Sequence, residues 1–382
     1  SVGAITLATC MEWRGVRRGD EYALRYARGA TNAYYLLFSF GATLGVFAVV
    51  LLVGLWGNAS GQLVNTFLPL IWFAFGLFLF IAPLLVLYRN TWGKLAPRPH
   101  AALGTLVAVL QSLFVVLIVG LDAYLITPFN SGLLAANLNP PYWPLLLHRL
   151  IGNVAWTALF FAGYAALKLR STQDDGERGF QAWAARINLR IGLWLTLLMP
   201  VVGFVLILVI SHWQPGYFTN LVGGDNGWML VLQEVFVAVV LIGGNVALAS
   251  EDGRAPRLGH PAVLTCTAAM VVACLPSSVL QEPVYWIRYV GLGVAVLVTA
   301  VHLLMRRSAV REAASLATAP ATPARMLSAT RRALVAAGVF SLATALLMGV
   351  IKEKARSPFT VYGELTQSAA QQPYNPSPGI YP

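Results

Sequence analysis

The stretch Asn139–Asn153, NPPYWPLLLHRLIGN, sets His148 and Arg149 about two turns inside an apolar run. An imidazole there can ligate a metal, and a guanidinium can pair with a carboxylate. On a helix, Gly152, Ala155 and Leu159 share the face of His148 at i+4, i+7 and i+11. Small residues beneath a histidine leave room for a flat macrocycle whose iron the imidazole would ligate. They equally allow a neighbouring helix to pack closely, and the residues alone leave both readings open. His212 and Met229, each near the end of its own apolar run, are the two candidates for a second axial ligand, and neither is forced. Asp122 ends an earlier run, Gln233 and Glu234 lie about two turns into a later one, and Arg288 opens another. Ionisable groups in hydrocarbon are costly and face a bundle interior, a partner or a ligand, although His212 and Arg288 are close enough to the headgroups to snorkel. A carboxylate such as Glu234 in a poorly solvated site is a candidate proton acceptor.

The elements that hold these residues follow from composition. Of 382 residues, 58% are hydrophobic and 11% charged, with a mean hydropathy of +0.68. A soluble domain carries about a quarter charged residues. Apolar runs at 33–56, 64–88, 101–127, 142–168, 188–213, 227–250, 262–280, 284–305 and 330–351 are long enough to cross about 30 Å of hydrocarbon. The expected fold is all-α, a polytopic transmembrane bundle of about nine spans over 33–351, with a basic arm at 1–32 and a proline-rich tail at 352–382. Pro200 and Pro276, inside the fifth and seventh runs, are expected to kink them.

Charge sets the expected orientation. The arm carries Arg14, Arg17, Arg18, Arg25 and Arg28, and further Lys and Arg residues fill the links 89–100, 169–190, 251–261 and 306–332. The links 57–63, 128–141, 214–226 and 281–283 carry none. This alternation predicts a cytoplasmic N-terminus and an external C-terminus, with KEKAR at Lys352–Arg356 the one strained point. Asp122, His148, Arg149, His212, Glu234 and Arg288 would then gather in the outer third of the membrane. Nearly all of the net charge of +11 sits in alternate links, which argues against nucleic acid as a partner. Cys10, Cys266 and Cys274 form no metal or disulfide spacing. His100 and His260 read as solvated loop residues and His302 as near a span end. The tail reads either as an extended arm on a neighbour or as a disordered end. LATC at Leu7–Cys10 lacks the flanks of a cleavage signal, and NAS at Asn58 is too short to carry a reading.

The His-Arg-x-x-Gly-Asn run opening a span resembles the helix of cytochrome bd quinol oxidase subunit I that carries a low-spin haem b ligand. The Pro-aromatic-Trp-Pro lead into it is similar to that of divergent bd-like membrane proteins. HWQPGYFTNLVGGDNGWM (His212–Met229) and YWIRYVGLG (Tyr285–Gly293) resemble further parts of that family. The resemblance implies a haem b on His148, with Arg149, Gly152, Asn153, His212, Met229 and Arg288 around it and Arg149 facing a propionate. It also implies a quinone near the outer side of a bacterial inner membrane. Departures accompany it. No histidine precedes His100, and Tyr34, Tyr35 and Leu36 stand where the family's first-span ligand would be sought. Val290 falls where the family places methionine, and the long outer quinol loop and the Gly-Arg-Gln-Pro-Trp signature are missing. The expected function is therefore a membrane subunit of a respiratory or photosynthetic electron-transfer complex, not itself an oxygen reductase. The alternative is a haem-free scaffold that anchors such a complex; a transporter ranks last, because repeats and broken-helix signals are missing. Expected partners are membrane lipid and other subunits of the complex.

Overall fold

Hydrocarbon offers no partner for a backbone N–H or C=O, so an apolar run must satisfy these groups within itself, as a helix. In the computed structural model, which describes residues 2–129, 132–223, 226–250, 259–276, 286–316 and 328–374, the expected runs are helical. The order is α1 (Val2–Arg18), α2 (Glu21–Leu55), α3 (Gly57–Asn90), α4 (Pro97–Ile126), α5 (Leu133–Asn137), α6 (Tyr142–Ser171), α7 (Asp175–Trp213) and α8 (Pro215–Val222). Then come α9 (Gly227–Ala249), α10 (Pro261–Ala273), α11 (Ile287–Leu316) and α12 (Ser328–Arg356). A hairpin of β1 (Phe359–Val361) and β2 (Leu365–Thr366) and a last turn, α13 (Gln367–Ala370), complete the chain. Among the described residues, eight helices are long and apolar enough to cross a membrane. The run expected at 262–280 is the shorter α10, with its stretch 277–280 outside the described residues. Pro276 lies past the end of α10 rather than within it, whereas Pro200 does lie inside α7. Arg254, Arg257, Tyr285, Arg325 and the tail from 375 also fall outside the described residues.

The chain forms two compact units. One comprises Ser1–Val154, Val201–Asn220 and Lys352–Pro382. Here the expected basic arm is structured: α1 buries Ala4, Ile5 and Ala8, and α2 begins at Glu21. Asp20 caps α2 by accepting from the Ala23 N–H at 3.0 Å and pairs with Arg14 at 2.9 Å, which fixes the turn between the helices. Trp13 Nε1 donates to Thr105 Oγ1 of α4 at 2.8 Å. Glu12, 1% exposed, accepts from the Tyr88 hydroxyl and meets Nδ1 of His100, whose Nε2 donates to the Tyr88 carbonyl at 3.0 Å. His100, expected in a solvated loop, is 3% exposed, because α1 folds back and brings a carboxylate to it. In α3, backbone angles leave the helical region at Phe67, two residues before Pro69, whose ring cannot accept a straight preceding turn.

The tail through Tyr374 does not extend away from the chain. Val361, Leu365 and Ala370 pack with Ala59, Phe67, Tyr124 and Ala136. The Asn58 N–H donates to the Gln372 carbonyl at 2.8 Å, and the Tyr362 N–H to the Leu125 carbonyl at 3.0 Å. Gly61 is required beneath Tyr374, because a Cβ there would lie 2.2 Å from its ring. Apolar residues spaced among the prolines give this segment a face to bury.

The other unit comprises Ala155–Pro200 and Leu221–Ile351. Glycines set its closest approaches. A Cβ on Gly291 of α11 would lie 2.6 Å from the Ala269 carbonyl of α10, and one on Gly163 of α6 would lie 3.3 Å from Gly338 Cα of α12. Asn245 donates to Thr299 Oγ1 at 2.7 Å and accepts at 2.9 Å from Nδ1 of His302, which is 3% exposed. His260, expected to be solvated, caps α10 and stacks on the His302 ring at 4.8 Å.

Candidate functional site

Helix α6 carries the HRLIGN run, and its start is pinned to α4: the Tyr142 hydroxyl donates to the Val116 carbonyl at 3.0 Å. Pro144 in its first turn costs little, because the N–H it lacks would have no partner there. Val119, Ala123, Leu145 and Leu146 fill the contact between α4 and α6. Two turns in, His148 is half-buried. Its ring makes no hydrogen bond to the described residues, and its edge faces Gly203 of α7, where an added Cβ would lie 3.9 Å from Nε2. Gly203 itself sends no side chain toward that nitrogen.

Arg149 pairs with Asp122 of α4, and Lys352 Nζ reaches the same carboxylate oxygen, Oδ2, at 2.7 Å. The side chains of Asp122, Lys352 and Arg149 are 17%, 16% and 34% exposed. Arg149, expected to face a haem propionate, thus already has a carboxylate partner within the chain. Asn153 donates to the Arg149 carbonyl at 2.9 Å, and Gly152 is half-buried. The face of α6 is closed lower down, within the second unit: Leu159 fills the place of a side chain at Gly192, whose Cβ would lie 2.6 Å from it. His212 is exposed, with its ring edge-on to Trp213 at 5.5 Å. Among the described residues its contacts run to Trp213 and not to His148.

In the second unit Glu234 of α9 pairs with Arg288 of α11, whose Nε also donates to the Ala273 carbonyl at 3.2 Å. Arg288 is 9% exposed, so it is held inside rather than snorkelling. Gln233 donates to the Thr344 carbonyl of α12 at 3.2 Å, and Met229 is buried on α9. Val290 is 47% exposed on α11. Among the described residues no three His, Cys, Asp or Glu side chains gather as a metal site.

Sequence reasoning missed Lys352, which it placed at the start of the tail. The available signal was its position: a lysine ending a span on the side where the arginine pattern forbids one. It is accommodated there by Asp122, while Arg356 pairs with Glu353.

Eight helices long and apolar enough to cross a membrane, with ionisable side chains held inside them, define a multi-pass membrane protein among the described residues. Residues 1–221, more than half of the chain, match the family model of cytochrome bd terminal oxidase subunit I. The chain belongs to that family. Its fold is similar to that in "The structure of bd oxidase from Geobacillus thermodenitrificans", with a TM-score of 0.53 over 93% of this chain and 92% of that one, at 17% identity. No curated protein sequence matches the chain. Family membership makes it a multi-pass membrane subunit of electron transport, and haem and quinol chemistry fit the family.

Proposed function

We propose that this chain is a membrane subunit of a respiratory or photosynthetic complex that binds haem b through His148. In this reading it exchanges electrons with quinone near the outer side of a bacterial inner membrane and is not itself an oxygen reductase. The observation that carries the reading is the His148 imidazole: half-buried, without a hydrogen-bond partner among the described residues, and facing a glycine on the next helix. An imidazole in that setting gains little unless its lone pair is used, and Gly203 puts no side chain of its own against that edge. The donor atom suits the group, and a haem on Nε2 would require α7 to stand further from α6 at Gly203 than it does.

A haem held there would supply one-electron chemistry. The chain's own residues do the rest. Asp122 holds Arg149 away from full exposure and fixes the charge beside the histidine. Glu234, held by Arg288, accepts a proton only as that pairing loosens, so proton uptake would be coupled to a shift of α9 against α11. Val290, exposed and unable to ligate, and the short α8 in place of a long loop support separating this chain from oxygen reduction.

One observation favours the alternative, a haem-free scaffold. The most apolar stretch of α2 contains no buried residue, and such a surface suits docking to other subunits. The visible spectrum of the purified, dithionite-reduced chain separates the two. A b-type spectrum that His148→Ala abolishes supports the haem reading, and a featureless spectrum in the unmodified chain supports the scaffold.

A further inference from the structure

The charges around Asp122 do not balance. Arg149 and Lys352 both bind its Oδ2, and among the described residues they have no other carboxylate at ion-pair distance. Glu353, the next acid along α12, is taken by Arg356. Asp122 thus faces two basic groups alone, in a site whose three members are between 16% and 34% exposed. A second cation on one carboxylate at that depth is costly, and an anion from outside the chain would relieve it.

Depth narrows the choice of counter-ion. Asp122 lies four residues from the end of α4 and Lys352 four residues from the end of α12, about 6 Å along each helix. Arg149 lies seven residues into α6, about 10 Å. Trp143 and Trp213, at the neighbouring ends of α6 and α7, are 61% and 47% exposed, as in the tryptophan girdles that mark the headgroup level. The cluster therefore sits just under the headgroups, with its most open member, Arg149, available from the side.

We propose that the Asp122–Arg149–Lys352 cluster binds the phosphate of an anionic phospholipid headgroup. One phosphodiester carries the single negative charge that the cluster lacks. The two cations grip it, and Asp122 holds them together in its absence. This also accounts for a lysine at the one helix end where the arginine pattern is broken. The inference does not depend on a haem at His148.

The test is titration of the full chain in detergent with phosphatidylglycerol and, separately, phosphatidylcholine, read by native mass spectrometry and melting midpoint. Phosphatidylglycerol should be retained in preference and should raise the midpoint more. Lys352→Met should weaken phosphatidylglycerol binding about five-fold, the worth of one cation near a membrane surface, while Lys352→Arg should keep it. Lys352→Met leaves a neutral Asp122–Arg149 pair and so should still fold; Asp122→Asn, if it folds, should bind phosphatidylglycerol more tightly than the parent. Equal responses to the two lipids, or an undiminished preference in Lys352→Met, would overturn the proposal. So would loss of the preference on haem loading, which would give the charge to a cofactor carboxylate instead.

Discussion

Two clusters of inward-facing charge in the first unit are built from similar parts and come out differently. In the Glu12–Tyr88–His100 cluster both carboxylate oxygens, both ring nitrogens and the phenol have partners, and Glu12 and His100 are 1% and 3% exposed. In the Asp122–Arg149–Lys352 cluster two cations share one oxygen and a third of Arg149 is open. The first is closed and satisfied, and what it does is fasten α1 to α3 and α4. The second is open and short of one negative charge, and such a site is suited to receiving something. Satisfaction and charge balance, more than burial, separate a structural polar cluster from a binding one.

The comparison can be broken at several points. Glu12→Ala should have the largest effect. It strands His100 and Tyr88 in a closed site and should cost about 3–5 kcal/mol, the usual cost of removing one partner of a buried pair. Denaturant or thermal unfolding in detergent measures it, and proteolysis should reach α1 at the same time. A loss below about 1 kcal/mol would mean that α1 is held by its apolar face alone. Asp122→Asn leaves two cations facing each other, but their partial exposure softens the penalty to about 1–2 kcal/mol. Lys352→Met should fall within about 1 kcal/mol of the parent because the remaining pair is neutral. A large loss there would show that Lys352 is a structural tie.

A smaller effect concerns the tail. Tyr217 of α8 is fully buried, and its hydroxyl donates to the Lys352 carbonyl at 3.3 Å. Burial pushes its phenol above the ordinary value of about 10. The folded state therefore holds this proton more tightly than the unfolded one. Its contribution is fully present below pH about 10 and is lost as pH rises beyond that, where only the unfolded phenol ionises. The melting midpoint should fall above that pH, and fall less steeply in Tyr217→Phe. Parallel curves would place the alkaline loss elsewhere.

Hydropathy made the spans legible to within several residues, because a membrane helix must be both apolar and continuous. It could not reveal α1, whose one-sided apolar face is too short to register as a span and too arginine-rich to look like core. His100 was misread for a related reason: its partner, Glu12, lies 88 residues away, and nothing local marks the pairing. Lys352 was visible as an anomaly but not as a partner of Asp122, because that contact depends on where α12 ends beside α4. The kink at Phe67 could have been read from Pro69. His148 and Arg149, by contrast, were conspicuous from residue type alone, since polar groups in an apolar run need a reason.

The central claim is that His148 uses its free lone pair on a haem iron. The most direct measurement is the dithionite-reduced minus oxidised visible spectrum of the purified chain beside its His148→Ala variant. The account predicts a b-type difference spectrum in the parent and none from the variant, with both proteins inserted in the membrane to the same extent. A parent without haem absorbance, or a variant whose spectrum is unchanged, would contradict it.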